Sequence, residues 1–416
     1  MKHLETYCQR AEYELILRSF NEDIEVALCC KAQHTLSLFD KNNKIDDVRQ
    51  DLANGIKNRH CDVCWRAEKE GVTSWRQIGN TLNYYNTNDL EIYLDRTCDL
   101  ACVYCSQKYS SRWQQEIEQS SSEDQKLLNR ILNDTERFAP SPKKINHVKR
   151  MLEEITNFGI RSKDRKLAQI MMLGGEPLLA PYVKKNIIND IVEAYYKKGN
   201  PNQPLKLVTV SNGNTPDHIL DKTLNAMQEL QGKYSNLAFS TSLSNESTGK
   251  LAEAIRYGLV WEQFIKNYKK YLSTGIPIGL AMTVNVLSYF DSANFVREML
   301  TIAKDLDKKI FFRFNLCLYP EYLSVRMLPD GYQYIVDEIR NLLTEYEEQI
   351  YTPHIFYGLM DGDLKNLLQF YGTQKDKDKH FRPGVDYFNY LKRHRGTEIE
   401  KVNKKIYDYY MENYRE

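Results

Sequence analysis

Short apolar runs and longer amphipathic runs alternate through the middle of the chain. Residues 91–95, 169–173, 205–211, 237–242, 279–285 and 310–315 are mostly apolar and bounded by turn residues, which predicts six strands. Between them, 183–197, 216–230, 261–272 and 293–306 carry apolar residues at helical spacing. Strands alternating with helices of this length predict an α/β fold whose parallel strands are joined by right-handed crossovers. Six such units across 88–325 would make an open, partial (β/α)6, TIM-like barrel, with ligands at the C-terminal ends of its strands.

The flanks read differently. Residues 13–17 and 24–28 enclose the polar run 21–23, which predicts a β-hairpin followed by a helix, in an N-terminal module of residues 1–87. Residues 106–165 form a polar insertion with breaks at Ser120-Ser121-Ser122 and Pro140-Ser141-Pro142. That insertion reads either as a lid or as a solvated helical excursion. Residues 331–349 predict an amphipathic helix. Beyond 360, charges of both signs mix with Phe388, Tyr390, Tyr407, Tyr409 and Tyr410, so residues 326–416 read as a helical cap and not a nucleic-acid arm.

Composition narrows the setting. The 416 residues are 42% apolar and 27% charged, with a net charge of +1. This is a globular profile with no global field to draw nucleic acid or an acidic membrane. No apolar run is long enough to span a bilayer, and the first residues lack the apolar core of a signal peptide, so the expectation is a cytoplasmic protein. In that compartment the nine cysteines, grouped as CxxxCxxC and CxxC, read as metal ligands and not disulfides.

Cys98, Cys102 and Cys105 follow the first barrel strand directly. Three thiolates can hold a [4Fe–4S] cluster and leave its fourth iron open to an exogenous ligand. A structural zinc site would take a fourth protein ligand, and none follows nearby. The spacing, with Tyr104 just before the last cysteine, resembles the signature of the radical SAM superfamily. Gly174-Gly175-Glu176-Pro177 at the end of the second strand resembles the family's GGEP motif. The resemblance implies that Gly174, Gly175 and Glu176 hold the amino group of S-adenosylmethionine (SAM). Ser211-Asn212-Gly213 resembles a run that meets the ribose or the substrate; an Asn-Gly turn is the plain alternative. Ser242 matches the serine of a Ser-Ile-Asp run, with Ser244 in place of the acid. Arg256 matches an arginine that pairs the SAM carboxylate in related enzymes, the alternative being a surface arginine.

Upstream stand Cys8, Cys29-Cys30, Cys61 and Cys64, and then Glu68, Gly71, Ser74 and Arg76. This order resembles a twitch (SPASM-like) extension placed before the barrel, as in related sequences that include several from phages. The resemblance implies a second, auxiliary [4Fe–4S] cluster on Cys8, Cys29, Cys61 and Cys64, with Cys30 the alternate to Cys29. Zn²⁺ is the competing occupant of the same four thiolates. The implied reaction is reductive cleavage of SAM to a 5′-deoxyadenosyl radical that abstracts hydrogen from a substrate, with a flavodoxin or ferredoxin as reductant. A peptide or protein is the expected substrate. A sugar or aminocyclitol is the alternative, and a non-catalytic iron–sulfur or zinc scaffold is the third reading.

Overall fold

The computed structural model describes residues 5–19, 23–29, 32, 36–38, 45–69, 71, 74–81, 87–132, 144–163, 165–180, 186–198, 202–351, 362–369 and 371–414. Cys30 and the break at 140–142 lie outside the described residues. The chain divides into two compact units. The first comprises residues 1–97, 138–210 and 221–240; the second comprises 98–137, 211–220 and 241–416.

The first unit is built on a sheet. β1 (Glu14–Arg18) and β2 (Glu25–Ala27) form the predicted hairpin, and β3 (Leu36–Ser37) pairs antiparallel with β2. β1 also runs parallel to β4 (Thr87–Tyr93), so the hairpin extends the sheet. With β5 (Ala101–Cys102) kept for the second unit, β6 (Leu167–Leu173) and β7 (Leu205–Ser211) continue the sheet in parallel. On β6, Ala168, Ile170 and Met172 are buried while their neighbours are half-buried, the alternation of a strand with two different faces. The Lys144–Arg161 and Ile187–Tyr196 helices pack on each other in this unit, with Phe158, Tyr195 and Tyr196 in ring contact.

The other face of this sheet carries charged groups among apolar ones. Register places Glu14, Asp89, Gln169 and Lys206 in one row, and Ile16, Glu91, Met171 and Val208 in the next. Burial, then the Glu14 carboxylate, pushes Asp89 up to about 7 and Glu91 up to about 8. An acid raised on folding stabilises below its unfolded pKa of roughly 4, and that contribution is lost as pH rises through the folded value. Glu91→Gln is therefore expected to gain on wild type by on the order of 2 kcal/mol between pH 4 and pH 9. Urea unfolding across that range measures this, and a pH-independent difference would place the carboxylate in bulk water.

β8 (Leu237–Ser244) leaves the first unit at Ser240 and enters the second at Thr241. In the second unit, β9 (Arg256–Tyr257) pairs antiparallel with β5, while β10 (Ile278–Val284) lies parallel between β8 and β11 (Ile310–Leu316). Among the described residues, β3 and β11 each have a strand neighbour on one side only, so the sheet is not closed. All six strands expected of the partial barrel are present: β4, β6, β7, β8, β10 and β11.

The expected helices appear as Asp217–Lys233, Trp261–Thr274, Ser292–Asp305 and Tyr334–Glu345. The insertion holds Ser111–Gln119 and Ser122–Ile131, separated where Ser121 accepts a hydrogen bond from the Asp124 amide. Trp113, Ile117, Leu128 and Ile131 are buried, so these two helices are part of the core and not a solvated excursion. The C-terminal region is helical, at Asp378–Arg395, Ile399–Val402 and Lys404–Asn413. Among the described residues no helix is long and apolar enough to cross a membrane.

Candidate functional site

In the second unit the loop Cys98–Cys105 has almost no regular backbone pairing, yet its carbonyls are bonded one after another by side chains. Ser111 Oγ donates to Cys98 O at 3.3 Å and Arg112 Nη1 to Asp99 O at 2.6 Å. Ser110 Oγ donates to Leu100 O at 2.6 Å, and Arg395 Nη1 to Ala101 O at 2.8 Å. Trp113 Nε1 donates to Cys102 O at 2.8 Å, and the Tyr387 hydroxyl to Val103 O at 2.9 Å. Six consecutive acceptors are thus satisfied, as buried backbone requires. The Asp99 carboxylate is clasped as well, by Asn212 Nδ2 at 2.8 Å and Asn214 Nδ2 at 2.7 Å. Ser211 Oγ accepts from the Gly213 amide, and Gly213 has φ 75°, so the Ser-Asn-Gly run is a turn that also grips the cysteine loop.

At Cys98 and Cys102 the groups aimed at sulfur favour thiolates. The Leu100 amide donates to Cys98 Sγ at 3.4 Å, and Arg256 Nη1 stands 3.9 Å from Cys102 Sγ. The Cys105 thiol instead donates to Ser106 O at 3.7 Å. Burial pushes the Cys98 thiol well up, reinforced by Cys102, and burial raises Cys102 against the pull of Arg256. Buried neighbouring thiols of this kind ionise when a metal cation supplies the opposing charge. Among the described residues no three His, Cys, Asp or Glu side chains stand in closed ligating geometry, and all three cysteines are free thiols. The donor set and the groups facing it fit a thiolate-bound iron–sulfur cluster.

Arg256 is buried, not a surface residue. Its Nε and Nη2 fork onto Glu246 Oε2 at 3.2 and 2.6 Å, and the Tyr104 hydroxyl donates to Glu246 Oε1 at 2.9 Å. Burial alone would lower Arg256, but the Glu246 carboxylate holds it above its usual value. Of the three groups, Glu246 had no place in the sequence reading; its signal is an acid two residues after Ser244, where the expected acid is missing. Ser242 is half-buried on β8, opposite Gly279 of β10.

In the first unit, Gly174 and Gly175 let two backbones meet. Gly174 has φ 139°, and a Cβ there would stand 2.4 Å from Asp95 O. A Cβ on Gly175 would stand 2.4 Å from Thr97 O. The Glu176 amide donates to Thr97 O at 2.6 Å, just ahead of Cys98 in sequence. Glu176 is fully buried, and its Oε1 accepts from the Leu178 amide at 3.2 Å.

Also in the first unit, Cys8, Cys29, Cys61 and Cys64 line one pocket with Arg10, Trp75 and Arg76. Burial pushes Cys8 up to about 11 and, with Cys8 and Cys64 adding, Cys61 up to about 12. Arg76 opposes the shift at both thiols. Its Nε and Nη2 fork onto Glu68 at 2.9 and 2.7 Å, Ser74 Oγ donates to Glu68, and Nη1 donates to Tyr7 O at 2.9 Å. The Glu68, Ser74 and Arg76 run is therefore a lock that fixes the residue ahead of Cys8 and sets a cation beside the pocket. Four thiols around one pocket with a fixed cation fit a thiolate-bound metal centre.

Residues 92–293 match the family model for the radical SAM superfamily. The match covers 202 of the 416 residues. No curated protein matches the sequence. Among solved structures, native anSMEcpe with bound AdoMet shares 17% identity over 63% of this chain and 61% of that one, with a TM-score of 0.41. SuiB of Streptococcus suis bound to S-adenosylmethionine shares 13% identity over 82% and 73%, with a TM-score of 0.39. The chain spans about three-fifths of the length of anSMEcpe. The matched segment takes in Cys98, Cys102, Cys105, Glu176, Glu246 and Arg256. Cys8, Cys29, Cys61 and Cys64 precede it, and Tyr387 and Arg395 follow it.

Proposed function

We propose that the protein is a radical SAM enzyme that modifies a peptide or protein, with residues 1–87 as a twitch-like cluster-bearing module, 88–325 as the catalytic core and 326–416 as a helical region. Cys98, Cys102 and Cys105 would hold the catalytic [4Fe–4S] cluster. The observation that carries this reading is the cysteine loop itself, with every carbonyl from Cys98 to Val103 bonded and an amide and a guanidinium facing its sulfurs. Bound there, the cluster would supply the electron for reductive cleavage of SAM.

The remaining assignments concern this chain's own residues. Gly174, Gly175 and Glu176 would receive the SAM ammonium, Ser242 and the Nη1 side of Arg256 its carboxylate, with Tyr104, Ser211 and Asn212 around them. Because Glu246 already takes two nitrogens of Arg256, that guanidinium would be oriented before the cofactor arrives. Cys8, Cys29, Cys61 and Cys64 would hold an auxiliary [4Fe–4S] cluster, supported by their shared pocket. A flavodoxin or ferredoxin would deliver the electron in a cytoplasmic setting.

The test is anaerobic. Reconstituted protein with a strong reductant is expected to convert SAM to 5′-deoxyadenosine and methionine, measured by chromatography without any substrate. No 5′-deoxyadenosine would overturn the reading. Cys61→Ala with Cys64→Ala is expected to keep that cleavage and to lose about four irons per chain. Retention of zinc with unchanged iron in the wild-type comparison would instead make the N-terminal centre a zinc site.

A further inference from the structure

We infer that the Asp378–Arg395 helix is a positioning element for the cysteine loop, acting through Tyr387 and Arg395. The inference rests on the reading that this loop holds the catalytic cluster. Two of the six side chains that bond the loop's carbonyls come from this helix, 284 and 294 residues away in sequence. They take Val103 O and Ala101 O, the carbonyls on either side of Cys102. The family match ends at residue 293, so the matched segment alone lacks both donors.

The helix end is built around this contact. The Arg395 side chain is fully buried. Its Nε donates to Glu116 Oε1 and Oε2 at 2.8 and 3.1 Å, and Nη1 is left to reach Ala101 O. The guanidinium carbon lies 4.3 Å from the Trp113 ring centre and 4.7 Å from that of Tyr257. Trp113 donates to Cys102 O, and Tyr257 pairs with Ala101 in the β5–β9 ribbon, so both rings that hold Arg395 belong to the loop's own scaffold. Gly396, at φ 64°, ends the helix directly behind it. A planar fork that bonds in two directions and is held between two rings is a task for arginine; the lysine ammonium has neither the plane nor the fixed fork. Five residues earlier on the helix, the Tyr390 hydroxyl donates to Glu116 Oε1 at 2.8 Å, which fixes the carboxylate that fixes Arg395.

The test is amide hydrogen exchange of residues 98–105 in the full chain before any iron is added, followed by iron loading. Arg395→Gln is expected to speed exchange in that segment at least about tenfold, the effect of losing a charge-assisted hydrogen bond. Tyr387→Phe removes one hydroxyl and is expected to give a smaller rise in the same segment. Arg395→Lys is expected to fall between Arg395→Gln and wild type. After loading, a chelator is expected to strip iron from Arg395→Gln faster than from wild type. Wild-type exchange at 98–105 in both Arg395→Gln and Tyr387→Phe would overturn the inference, even if the variants melt earlier, because general packing loss does not single out this loop. If Arg395→Gln does not fold, Tyr387→Phe decides alone. A faster loop together with wild-type iron content in the Cys98, Cys102 and Cys105 triple alanine variant would uphold the clamp and refute the cluster.

Discussion

Glu246→Ala is expected to destabilise the folded protein by about 3–5 kcal/mol, because it strands a buried arginine charge. Glu246 is fully buried and Arg256 nearly so, and their closest contact is 2.6 Å. The carboxylate also accepts from Tyr104, so its removal leaves a buried hydroxyl without its partner. Burying an ion pair is costly, and an apolar pair of similar volume is often as stable. Glu246→Leu combined with Arg256→Met is therefore expected to recover much of the loss. Chemical denaturation of the two variants reads the contrast directly. A Glu246→Ala cost under about 1 kcal/mol would mean that the pair behaves as a solvated surface bridge.

Replacing Cys98, Cys102 and Cys105 together with alanine is expected to abolish 5′-deoxyadenosine formation and to remove about four irons per chain. The iron on the N-terminal cysteines is expected to remain, since those four thiols belong to a separate compact unit with its own pocket. Iron content and SAM turnover are thus two independent readings of one variant. Residual cleavage at the wild-type rate would move the chemistry away from this loop. An unchanged iron content would leave the loop as three free thiols.

What the sequence made legible was local. The six strands were visible because each is a short apolar run between turn signals. The cysteine loop was visible because three thiols fall within eight residues after one of them. The hairpin was visible because two apolar runs enclose a short polar turn. Long-range partners carried no such pattern. Glu246 meets Tyr104 across 142 residues, and Arg395 meets Ala101 across 294. Nothing periodic marks either acid or arginine. Ser110, Ser111, Arg112 and Trp113 stood in a segment that read as a lid or a solvated excursion, because a helix start with polar residues looks alike whether it faces water or a backbone loop. Arg256 was singled out for a cofactor carboxylate. Only coordinates could reveal that a protein carboxylate holds two of its nitrogens, since the charge of a partner is invisible from one side.

The β1–β4 pairing sets an order on synthesis. Glu14 lies opposite Asp89, and Arg18 opposite Tyr93, so one edge of the hairpin finds its neighbour only after some 75 residues more have been made. Until then a newborn chain carries the hairpin with an unpaired edge. Open strand edges invite pairing with other chains. A polypeptide cut at the end of its first module would keep that edge bare permanently. The border suggested by cysteine grouping is therefore a poor place to sever this protein, and the first seam a ribosome can safely leave behind lies beyond Tyr93.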